Sequence, residues 1–565
     1  MSGYSMSPTE FRESASGPGA PGGVRFAPLG VRLLSDQLTP VLAYRRLVAP
    51  DQRLEPSFLL ESVEGGERQG RHSILGAHPV LEIIARGAET RAKFRAGAGA
   101  GLRRVVAHVF GGTADADEFT ARTADPLTLM KSVSARLGLA DGGPVASGRL
   151  PRCVLGGWFG YAAYDSARYG EPEKLGFGRA PKDDRGLPEL HMGFYDGVVV
   201  FDHVEKLVHV VKLVELPDSG DRGGAERAYQ RATEDLERAV VALETHSKPL
   251  PAGRFEGGRA TSDPATWVSN TTPAQHRGMV ERAKEYIRAG DIFQVVLGQR
   301  FERRSGADPF DVYRSLRVVN PSPYMVYLQA EGCILIASSP EILCRVRRGG
   351  DGKMVVTNRP LAGTRRRGAT PAEDASLERE LLADHKERAE HVMLVDLGRN
   401  DVGRVAKPGT IATPALMEIE RYSHVMHISS TVTGELREGL DAWDALRAAL
   451  PVGTISGAPK VRAMQIIDEL EPVRRGPYGG GLGYVSLTGE MDIALALRTM
   501  VVPTGRASNE GWMYHLQAAG GIVADSEPEA ERIETVNKAM ALVRAIEAAE
   551  AAFHSTTTPP LPRAE

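Results

Sequence analysis

Cysteine is scarce in this sequence. Only Cys153, Cys333 and Cys344 occur among 565 residues, and they lie far apart. An odd number of cysteines without close spacing supports neither a disulfide framework nor a zinc site. We therefore predict that all three are small buried apolar residues rather than reactive thiols.

Net charge and long hydrophobic runs are also lacking. The 69 basic and 72 acidic residues leave a net charge of -3, so bulk electrostatics give no reason to bind nucleic acid or an acidic membrane. No apolar run has the form of a signal-peptide core or is long enough to cross a bilayer. These features predict a cytoplasmic protein that binds neither nucleic acid nor membrane, in which any anion site is local.

The composition is otherwise that of a large globular chain, with 42% hydrophobic and 25% charged residues. A chain of this length is expected to form at least two domains. Segments rich in Gly, Ser and Pro predict a disordered extension at 1–28, a linker at 246–267 and a disordered tail at 553–565. Segments 29–245 and 268–552 are the predicted domains, both mixing helices and strands.

Local patterns support this mixture of helices and strands. Segment 195–215 predicts two strands joined by a polar turn, because β-branched residues dominate and apolar residues partly alternate. Segment 225–244 predicts a helix. Beyond the linker, 276–291 predicts a helix and 293–304 a strand, and 374–397 has the pattern of one long helix.

Two pairs of glutamates recur at a spacing of three on predicted helices. Glu387 and Glu390 share one helical face, and Glu531 and Glu534 share another. Either pair alone is also common on a solvated helix. Each pair, however, lies next to glycine-rich or strand-like sequence, and carboxylate oxygens suit Mg²⁺ that bridges a protein to an anionic substrate.

The stretch VTNRPLAGTRRRG, residues 356–368, is a second candidate anion site. Backbone amides freed by Gly363, the hydroxyl of Thr364 and nearby guanidinium groups can face an anionic small molecule. The alternative is a strand that ends at a glycine turn and leaves Arg365, Arg366 and Arg367 in water as solubilising charge. The stretch alone does not decide between them.

Residues 280–545 contain ten motifs of one enzyme family, in the order of that family. The motifs are AGDIFQVVLGQRF, NPSPYMVY, SSPEIL, RPLAGTRRRG, KERAEHVMLVDLGRND, ERYSHVMH, PVGTISGAPK, GPYGGGLGY, DIALALRTM and DSEPEAERIETVNKA. With them the chain resembles the chorismate-utilising enzymes, most closely the large subunits of anthranilate synthases. The resemblance implies an α/β (α+β) fold in which two large, mostly antiparallel sheets form a sandwich with helices outside.

The resemblance also implies a cleft that binds the dianion chorismate together with Mg²⁺. The implied metal ligands are Glu390 and Glu534, supported through bound water by Glu387 and Glu531. The implied catalytic residues are Glu341, His427, Thr364 and Gln294. Among these, Glu341 would protonate the departing 4-hydroxyl and His427 would assist the loss of pyruvate. The implied substrate contacts are Gly363, Thr454, Tyr478, Arg498, Gly521 and Lys538.

Two positions distinguish reactions within the family. Members that make 4-amino-4-deoxychorismate carry a lysine nucleophile at the position of Ala362, and members that use water carry a lysine base at that of Gln294. Neutral residues at both positions imply ammonia as the nucleophile, with anthranilate and pyruvate as products. The alternatives are a 2-amino-2-deoxyisochorismate synthase, a 4-amino-4-deoxychorismate synthase and a non-catalytic chorismate or tryptophan sensor. His424 competes with His427 as the functional histidine.

No cysteine of this chain lies in the setting of a glutaminase nucleophile. The resemblance therefore implies a hetero-oligomer in which a separate glutamine amidotransferase subunit supplies ammonia. FLLESVEGGERQGRHSILG resembles the regulatory region of the family, although its start is also typical of an ordinary strand end. The implied site for tryptophan as feedback inhibitor consists of Glu61, Ser62, Arg71, Pro323, Tyr324 and Met325.

One motif departs from the family pattern. The family usually has Gly-Ala-Gly where this chain has Ala519, Gly520 and Gly521. A methyl group is therefore expected at position 519, where a backbone amide normally approaches the substrate. We expect the approach of the substrate to that amide to be more crowded in this chain.

Overall fold

The computed structural model describes residues 3–15, 22–49, 52, 54–62, 70–140, 143–217, 221–245, 250–254, 267–422, 425–508 and 511–553. The helices of these segments are α1 Pro8–Ala15, α2 Pro40–Leu47, α3 Ala100–Phe110, α4 Pro126–Ser134, α5 Ala167–Gly170, α6 Arg222–Glu244, α7 Pro273–Arg288, α8 Pro309–Val319, α9 Pro371–Ala383, α10 His385–Gly403, α11 Ala442–Ala449, α12 Lys460–Leu470 and α13 Pro528–Phe553. The strands are β1 Val24–Leu34, β2 Ser57–Glu61, β3 His72–Ala77, β4 Leu81–Arg86, β5 Glu89–Phe94, β6 Glu118–Arg122, β7 Leu137–Leu139, β8 Gly157–Ala162, β9 Leu190–Tyr195, β10 Gly197–Asp202, β11 Leu207–Glu215, β12 Val268–Ser269, β13 Gln294–Ser305, β14 Tyr324–Ala330, β15 Cys333–Ser339, β16 Ile342–Arg348, β17 Met354–Asn358, β18 Leu361–Arg366, β19 Ala412–Arg421, β20 Val425–Glu435, β21 Gly457–Ala458, β22 Gly481–Ser486, β23 Met491–Leu495, β24 Thr499–Pro503 and β25 Trp512–Ile522.

The described strands form two large sheets. The first sheet has 13 strands in the order β12-β13-β25-β24-β15-β14-β2-β3-β10-β11-β1-β7, with β21 paired to β13. The second has 12 strands in the order β18-β20-β17-β16-β23-β22-β8-β9-β4-β5-β6, with β19 paired to β20. Neighbouring strands run antiparallel except for the parallel pair β1–β7. The predicted architecture of two mostly antiparallel sheets is confirmed.

The two sheets pack face to face. Phe58 of the first sheet and Phe159 of the second stack with ring centroids 4.0 Å apart, and both are buried. Helices cover the outer faces, with α6 against β11, α10 against β20 and α13 against β25. A core between the sheets and further cores under the helices follow from this layering.

Both sheets continue across the predicted domain boundary at 246–267. Met325 of β14 pairs with Glu61 of β2, and Leu482 of β22 pairs with Tyr161 of β8. The segments 29–245 and 268–552 therefore share their sheets instead of forming two separate cores, which corrects the predicted division. Within the linker, the described residues 250–254 contact the end of α13 through a hydrogen bond from Arg254 N to Ala552 O.

The prediction of disorder over residues 1–28 is wrong for much of that segment. Residues 8–15 form α1, and β1 begins at Val24. Phe11 is buried and meets the ring of Tyr229 edge-on at 5.5 Å between centroids. Composition rich in Gly, Ser and Pro predicted disorder, but Phe11 packs α1 on α6, and Tyr4 also meets the Tyr229 ring, at 6.5 Å between centroids. The predicted tail lies outside the described residues except for Phe553.

Most of the predicted elements are found. The segment 195–215 supplies β10 and β11, and α6, α7 and β13 lie where they were predicted. The predicted long helix over 374–397 is instead two helices that meet at Asp384. Its side chain accepts hydrogen bonds from the backbone N–H groups of Lys386 and Glu387, at 3.0 and 3.2 Å, and so caps α10. Glu387 therefore lies in the first turn of its own helix.

The cysteines behave as predicted. Cys333 and Cys344 are buried, Cys153 is half-buried, and all three are free thiols. Burial raises the pKa of each thiol, which keeps them protonated and unreactive. No helix in the described segments has the length and apolar character needed to span a membrane.

Candidate functional site

Two paired strands of the second sheet bring the predicted glycine turn and the predicted histidine together. Thr364 of β18 lies directly opposite His427 of β20, and a β-bulge precedes this pair. Gly363, at the bulge, has a φ of 67°, which favours glycine. A β-carbon there would lie 3.2 Å from Glu387 Oε2. The bulge therefore exposes backbone beside a carboxylate of α10.

His427 is buried, and its ring is held from the β18 side. Nδ1 lies 2.9 Å from Gly363 O and 3.1 Å from Thr364 Oγ1. Burial lowers the pKa of His427 to about 4, and the positive charges of Arg498 and Lys538 contribute to the lowering. The imidazole is neutral at neutral pH. Because Nδ1–H donates to Gly363 O, Nε2 keeps a lone pair that can accept a proton.

Glu341 lies between β15 and β16 and is 3% exposed. Thr454, in the short turn Gly453–Ile455, donates a hydrogen bond to Glu341 Oε1 at 3.0 Å. Burial raises the pKa of Glu341 to about 8, against the opposing effects of Thr454 and of the backbone N–H of Leu361. The group is thus a carboxylic acid at neutral pH and can donate a proton.

The first turns of α10 carry Glu387 and Glu390. Gln294, buried at the start of β13, donates Nε2 to Glu390 Oε1 at 2.9 Å. A β-carbon at Gly521 would lie 2.6 Å from Gln294 Nε2, so a side chain there would displace this amide. Burial and the charge of Glu390 raise the pKa of Glu387.

The first turns of α13 carry the second acidic pair. Glu531 is 8% exposed, and its Oε2 has no hydrogen-bond partner among the described residues. Burial raises the pKa of Glu531, and the charge of Glu534 adds to the effect. Glu534 forms an ion pair with Lys538 at 2.7 Å, and Lys538 Nζ donates to Ala519 O at 3.0 Å. Lys538 therefore ties this helix to β25.

The two acidic faces meet at the glycines of β25. A β-carbon at Gly520 would lie 3.1 Å from Glu531 Oε2, and one at Gly521 would lie 3.5 Å from Glu390 Oε1. Within the described residues, no group of three or more His, Cys, Asp or Glu side chains could by itself hold a metal ion. Each acidic helix thus places one carboxylate beside β25, at adjacent glycines, and the described residues do not close a metal site.

The remaining predicted substrate contacts surround the same strand. Tyr478 is buried, which raises the pKa of its hydroxyl, and it hydrogen-bonds the backbone of Ala519. The Ala519 methyl belongs to the hydrophobic core, and a β-carbon at the opposed Gly298 would lie 3.2 Å from it. Gly298 thus gives this methyl room in the core. Arg498 has a φ of 46°, a strained value for a non-glycine residue, as found at many functional sites.

The three arginines after the glycine turn all form ion pairs. Arg366 is 65% exposed, as predicted for a solubilising residue, but Arg365 is only 21% exposed. Their carboxylate partners on α9 and at the start of α10 are, in chain order, Glu380 and Asp384 for Arg365, Glu373 for Arg366 and Asp374 for Arg367. The arginines thus hold the pair of helices to β18, which neither interpretation from the sequence anticipated.

A cavity of about 390 Å³ lies between the two sheets. All six residues predicted for the tryptophan site line it, namely Glu61, Ser62, Arg71, Pro323, Tyr324 and Met325. The cavity wall also includes Glu341, so it reaches the predicted catalytic acid. The wall also includes Tyr422, whose ring meets His427 at 5.6 Å between centroids. His424, the competing histidine, lies outside the described residues.

Both charged residues among these six have partners within the chain. Glu61 accepts hydrogen bonds from Tyr313 at 2.7 Å and from Arg317 at 2.9 Å. Arg71 forms an ion pair with Asp202 at 2.8 Å. The charges of Glu61 and Arg71 are therefore already paired within the cavity wall.

Sequence reasoning missed two polar residues that line this cavity. Tyr324 donates to Asp492 Oδ1 at 3.1 Å, and Arg345 contacts both Tyr324 Oη at 2.6 Å and Asp492 Oδ2 at 2.9 Å. The signal that could have found Asp492 is a carboxylate inside the apolar strand MDIAL, because buried charges in such strands need partners.

Comparison with known proteins shows to which family this chain belongs. The family described as chorismate binding enzyme matches residues 67–544. The chain belongs to this family. The α subunit 1 of anthranilate synthase from Arabidopsis thaliana, named chloroplastic, is 51% identical over 536 residues, covering 92% of this chain and 85% of that protein. Anthranilate synthase component 1 of Acetivibrio thermocellus is 43% identical over 525 residues, covering 92% and 95%.

A solved structure agrees in fold. Anthranilate synthase component I from Streptococcus pneumoniae TIGR4 superposes with a TM-score of 0.63 at 33% identity, covering 91% of this chain and 99% of that one. The predicted family and fold are thereby confirmed. The plant relative carries a plastid name, whereas cytoplasmic localisation was predicted for this chain, so the compartment stays a prediction.

Proposed function

We propose that this chain is the chorismate-converting subunit of an anthranilate synthase, which makes anthranilate and pyruvate from chorismate and ammonia. The observation that carries the proposal is Glu341, an acid whose pKa of about 8 keeps it protonated next to Thr454. A binding protein has no need for such an acid, which argues against the sensor alternative. Relatives half identical over most of the chain support the same reaction.

In the first half-reaction, ammonia adds at C2 of chorismate and the 4-hydroxyl leaves. Glu341 donates its proton to that oxygen, so water departs in place of hydroxide. In the second, neutral His427 accepts the C2 proton at Nε2 while the bond from C3 to the enolpyruvyl oxygen breaks. The enolate that leaves takes up a proton at its methylene carbon to become pyruvate, and the ring becomes aromatic. The contact from His427 Nδ1 to Gly363 O holds the ring for this task.

Ammonia is the proposed nucleophile because no lysine occupies either diagnostic position. Ala362 excludes the covalent route to 4-amino-4-deoxychorismate, and Gln294 offers no base for water. A 2-amino-2-deoxyisochorismate synthase would share these residues and stop before pyruvate is lost. Release of pyruvate therefore distinguishes the two reactions.

Mg²⁺ is the proposed cofactor, with Glu390 and Glu534 as ligands and Glu387 and Glu531 as supporting groups. The buried Glu531 Oε2 has no hydrogen-bond partner among the described residues. Burial and the neighbouring carboxylate raise the pKa of Glu387 and of Glu531, so the residues present fit a divalent cation. When bound, Mg²⁺ neutralises and orients a substrate carboxylate. Thr364, Gly363, Thr454, Tyr478, Arg498, Gly521 and Lys538 are the proposed chorismate contacts.

The proposed partner is a glutamine amidotransferase subunit in a hetero-oligomer that supplies ammonia. Tryptophan is the proposed feedback inhibitor, and it would occupy the 390 Å³ cavity that reaches Glu341. A ligand that prefers one conformation of this wall would shift the enzyme toward it. We propose a cytoplasmic location for the enzyme.

The test uses purified chain with chorismate, MgCl₂ and an ammonium salt, with and without EDTA. We expect anthranilate fluorescence and pyruvate to rise together, and both to vanish with EDTA. Chorismate consumed without pyruvate would favour the synthase that stops at the intermediate. Chorismate bound but not consumed would favour the sensor. Activity with glutamine equal to that with ammonium salts would refute the separate amidotransferase.

A further inference from the structure

Arg365 lies where the glycine turn meets the start of α10. Its Nη1 donates to Thr364 O at 3.0 Å and contacts Glu387 Oε1 at 3.4 Å. Its Nη2 donates to Asp384 Oδ2 at 2.8 Å, and its Nε donates to Glu380 Oε1 at 2.8 Å. One guanidinium group thus joins the strand that faces chorismate to the helix that carries the acidic residues.

These contacts fix the first turn of α10 from two sides. Asp384 caps the helix through Oδ1, which accepts the Glu387 backbone N–H, while its Oδ2 is held by Arg365. One carboxylate oxygen of Glu387 faces Arg365, and the other lies against Gly363, where a β-carbon would be 3.2 Å away. Glu390 follows one turn later, so its position depends on the same cap.

We propose that Arg365 is a positioning residue that couples Mg²⁺ binding to chorismate binding. The inference rests on the proposed function. Arg365 Nη1 contacts both the carbonyl oxygen of Thr364, on the strand proposed to bind chorismate, and the carboxylate of Glu387, proposed to support Mg²⁺. A shift of either group is therefore transmitted to the other. Groups that orient metal ligands from outside typically change affinity about 10–100-fold when removed. Reciprocal coupling between the two ligands follows from linkage.

The neighbouring arginine provides a matched control. Arg366 pairs with Glu373 of α9, makes no described contact with α10 and is 65% exposed. Arg366→Gln therefore removes the same charge from the same strand without touching the cap of α10. Arg365→Lys keeps the charge but loses the planar fork that reaches several oxygens at once.

The experiment titrates MgCl₂ into each full-length variant by calorimetry, with and without saturating chorismate. We expect Arg365→Gln to weaken Mg²⁺ binding about 10–100-fold and to reduce the gain in Mg²⁺ affinity that chorismate confers. Arg365→Lys should be intermediate, and Arg366→Gln should match the parent. If the parent binds both ligands and Arg365→Gln matches it, the inference is overturned while the proposed function stands. A parent that binds neither ligand overturns both.

Thermal unfolding without ligands shows whether each variant is folded. If Arg365→Gln is not folded, the same Mg²⁺ titrations of Asp384→Asn and Arg365→Lys test the inference. Asp384→Asn keeps an oxygen for the helix cap and loses the ion pair with Arg365. Weaker Mg²⁺ binding with reduced coupling in these two variants supports the inference, and parent-like titrations of both overturn it.

Discussion

Gln294 donates a hydrogen bond from Nε2 to Glu390 Oε1 at 2.9 Å. Gln294 is buried at the start of β13, so one oxygen of Glu390 is held by a side chain that has little freedom to move. The side-chain oxygen of Gln294, Oε1, is buried and has no partner among the described residues. We interpret Gln294 as the residue that orients a metal-ligand carboxylate while leaving the pocket without a basic group.

Replacing Gln294 by leucine should raise the Mg²⁺ concentration needed for half-maximal activity at least about tenfold, because Glu390 loses its orienting donor. The rate at saturating Mg²⁺ should fall much less. Titration of activity with MgCl₂ measures both quantities. Gln230→Leu, on the exposed face of α6, is the control. An unchanged Mg²⁺ dependence would remove Gln294 from this role.

Glu341→Gln should bind chorismate like the parent and turn it over about 10²–10⁴-fold more slowly, since the amide cannot protonate the leaving hydroxyl. Stopped assays for anthranilate give the rate, and calorimetry gives chorismate binding. Turnover as fast as in the parent would exclude Glu341 as the acid.

The pH profile should report the same acid. As the proposed acid, Glu341 acts when protonated, and its pKa is about 8. At a constant concentration of free NH3, kcat/KM for chorismate should therefore decrease as pH rises through about 8. The hydrogen bond from Thr454 lowers this pKa, so Thr454→Val should move the decrease to higher pH. A profile that stays flat through this range in the parent would contradict the assignment.

Stability should depend on pH through the same group. The pKa of Glu341 is higher in the folded protein than its ordinary value of 4.5. Its contribution to stability is therefore complete below about 4.5 and is lost as pH rises through about 8. Thermal unfolding of the parent and of Glu341→Gln across this range should differ in slope. Parallel curves would show that Glu341 ionises without a cost to folding.

The sequence predicted the motif-bearing parts of the site better than the way the chain assembles. Thr364 and His427 were expected in one site, and pairing of β18 with β20 brings them together. Continuity of the sheets across residues 246–267 could not be predicted, since strand pairing between distant segments leaves no local pattern. The break between α9 and α10 at Asp384 could not be predicted, because the helical sequence pattern continues on both sides of it. Phe11 was overlooked because one aromatic residue does not alter a segment's composition.

Ser62→Arg should abolish inhibition by tryptophan with little change in the uninhibited rate, because the longer cationic side chain would fill the cavity that Ser62 lines. Anthranilate formation with increasing tryptophan tests this, with the exposed Ser147→Arg as control. Inhibition that persists in Ser62→Arg would place the tryptophan site elsewhere.

Gly521→Ala should reproduce the metal defect of Gln294→Leu from the opposite strand. The new β-carbon would lie 2.6 Å from Gln294 Nε2, so the amide must move and its bond to Glu390 must break. Gly505→Ala is the matched control, because a β-carbon there meets nothing within 4 Å. If both substitutions act through Glu390, the double variant should be no worse than either single one, whereas additive losses would mean that Gly521 acts on Mg²⁺ binding by another route.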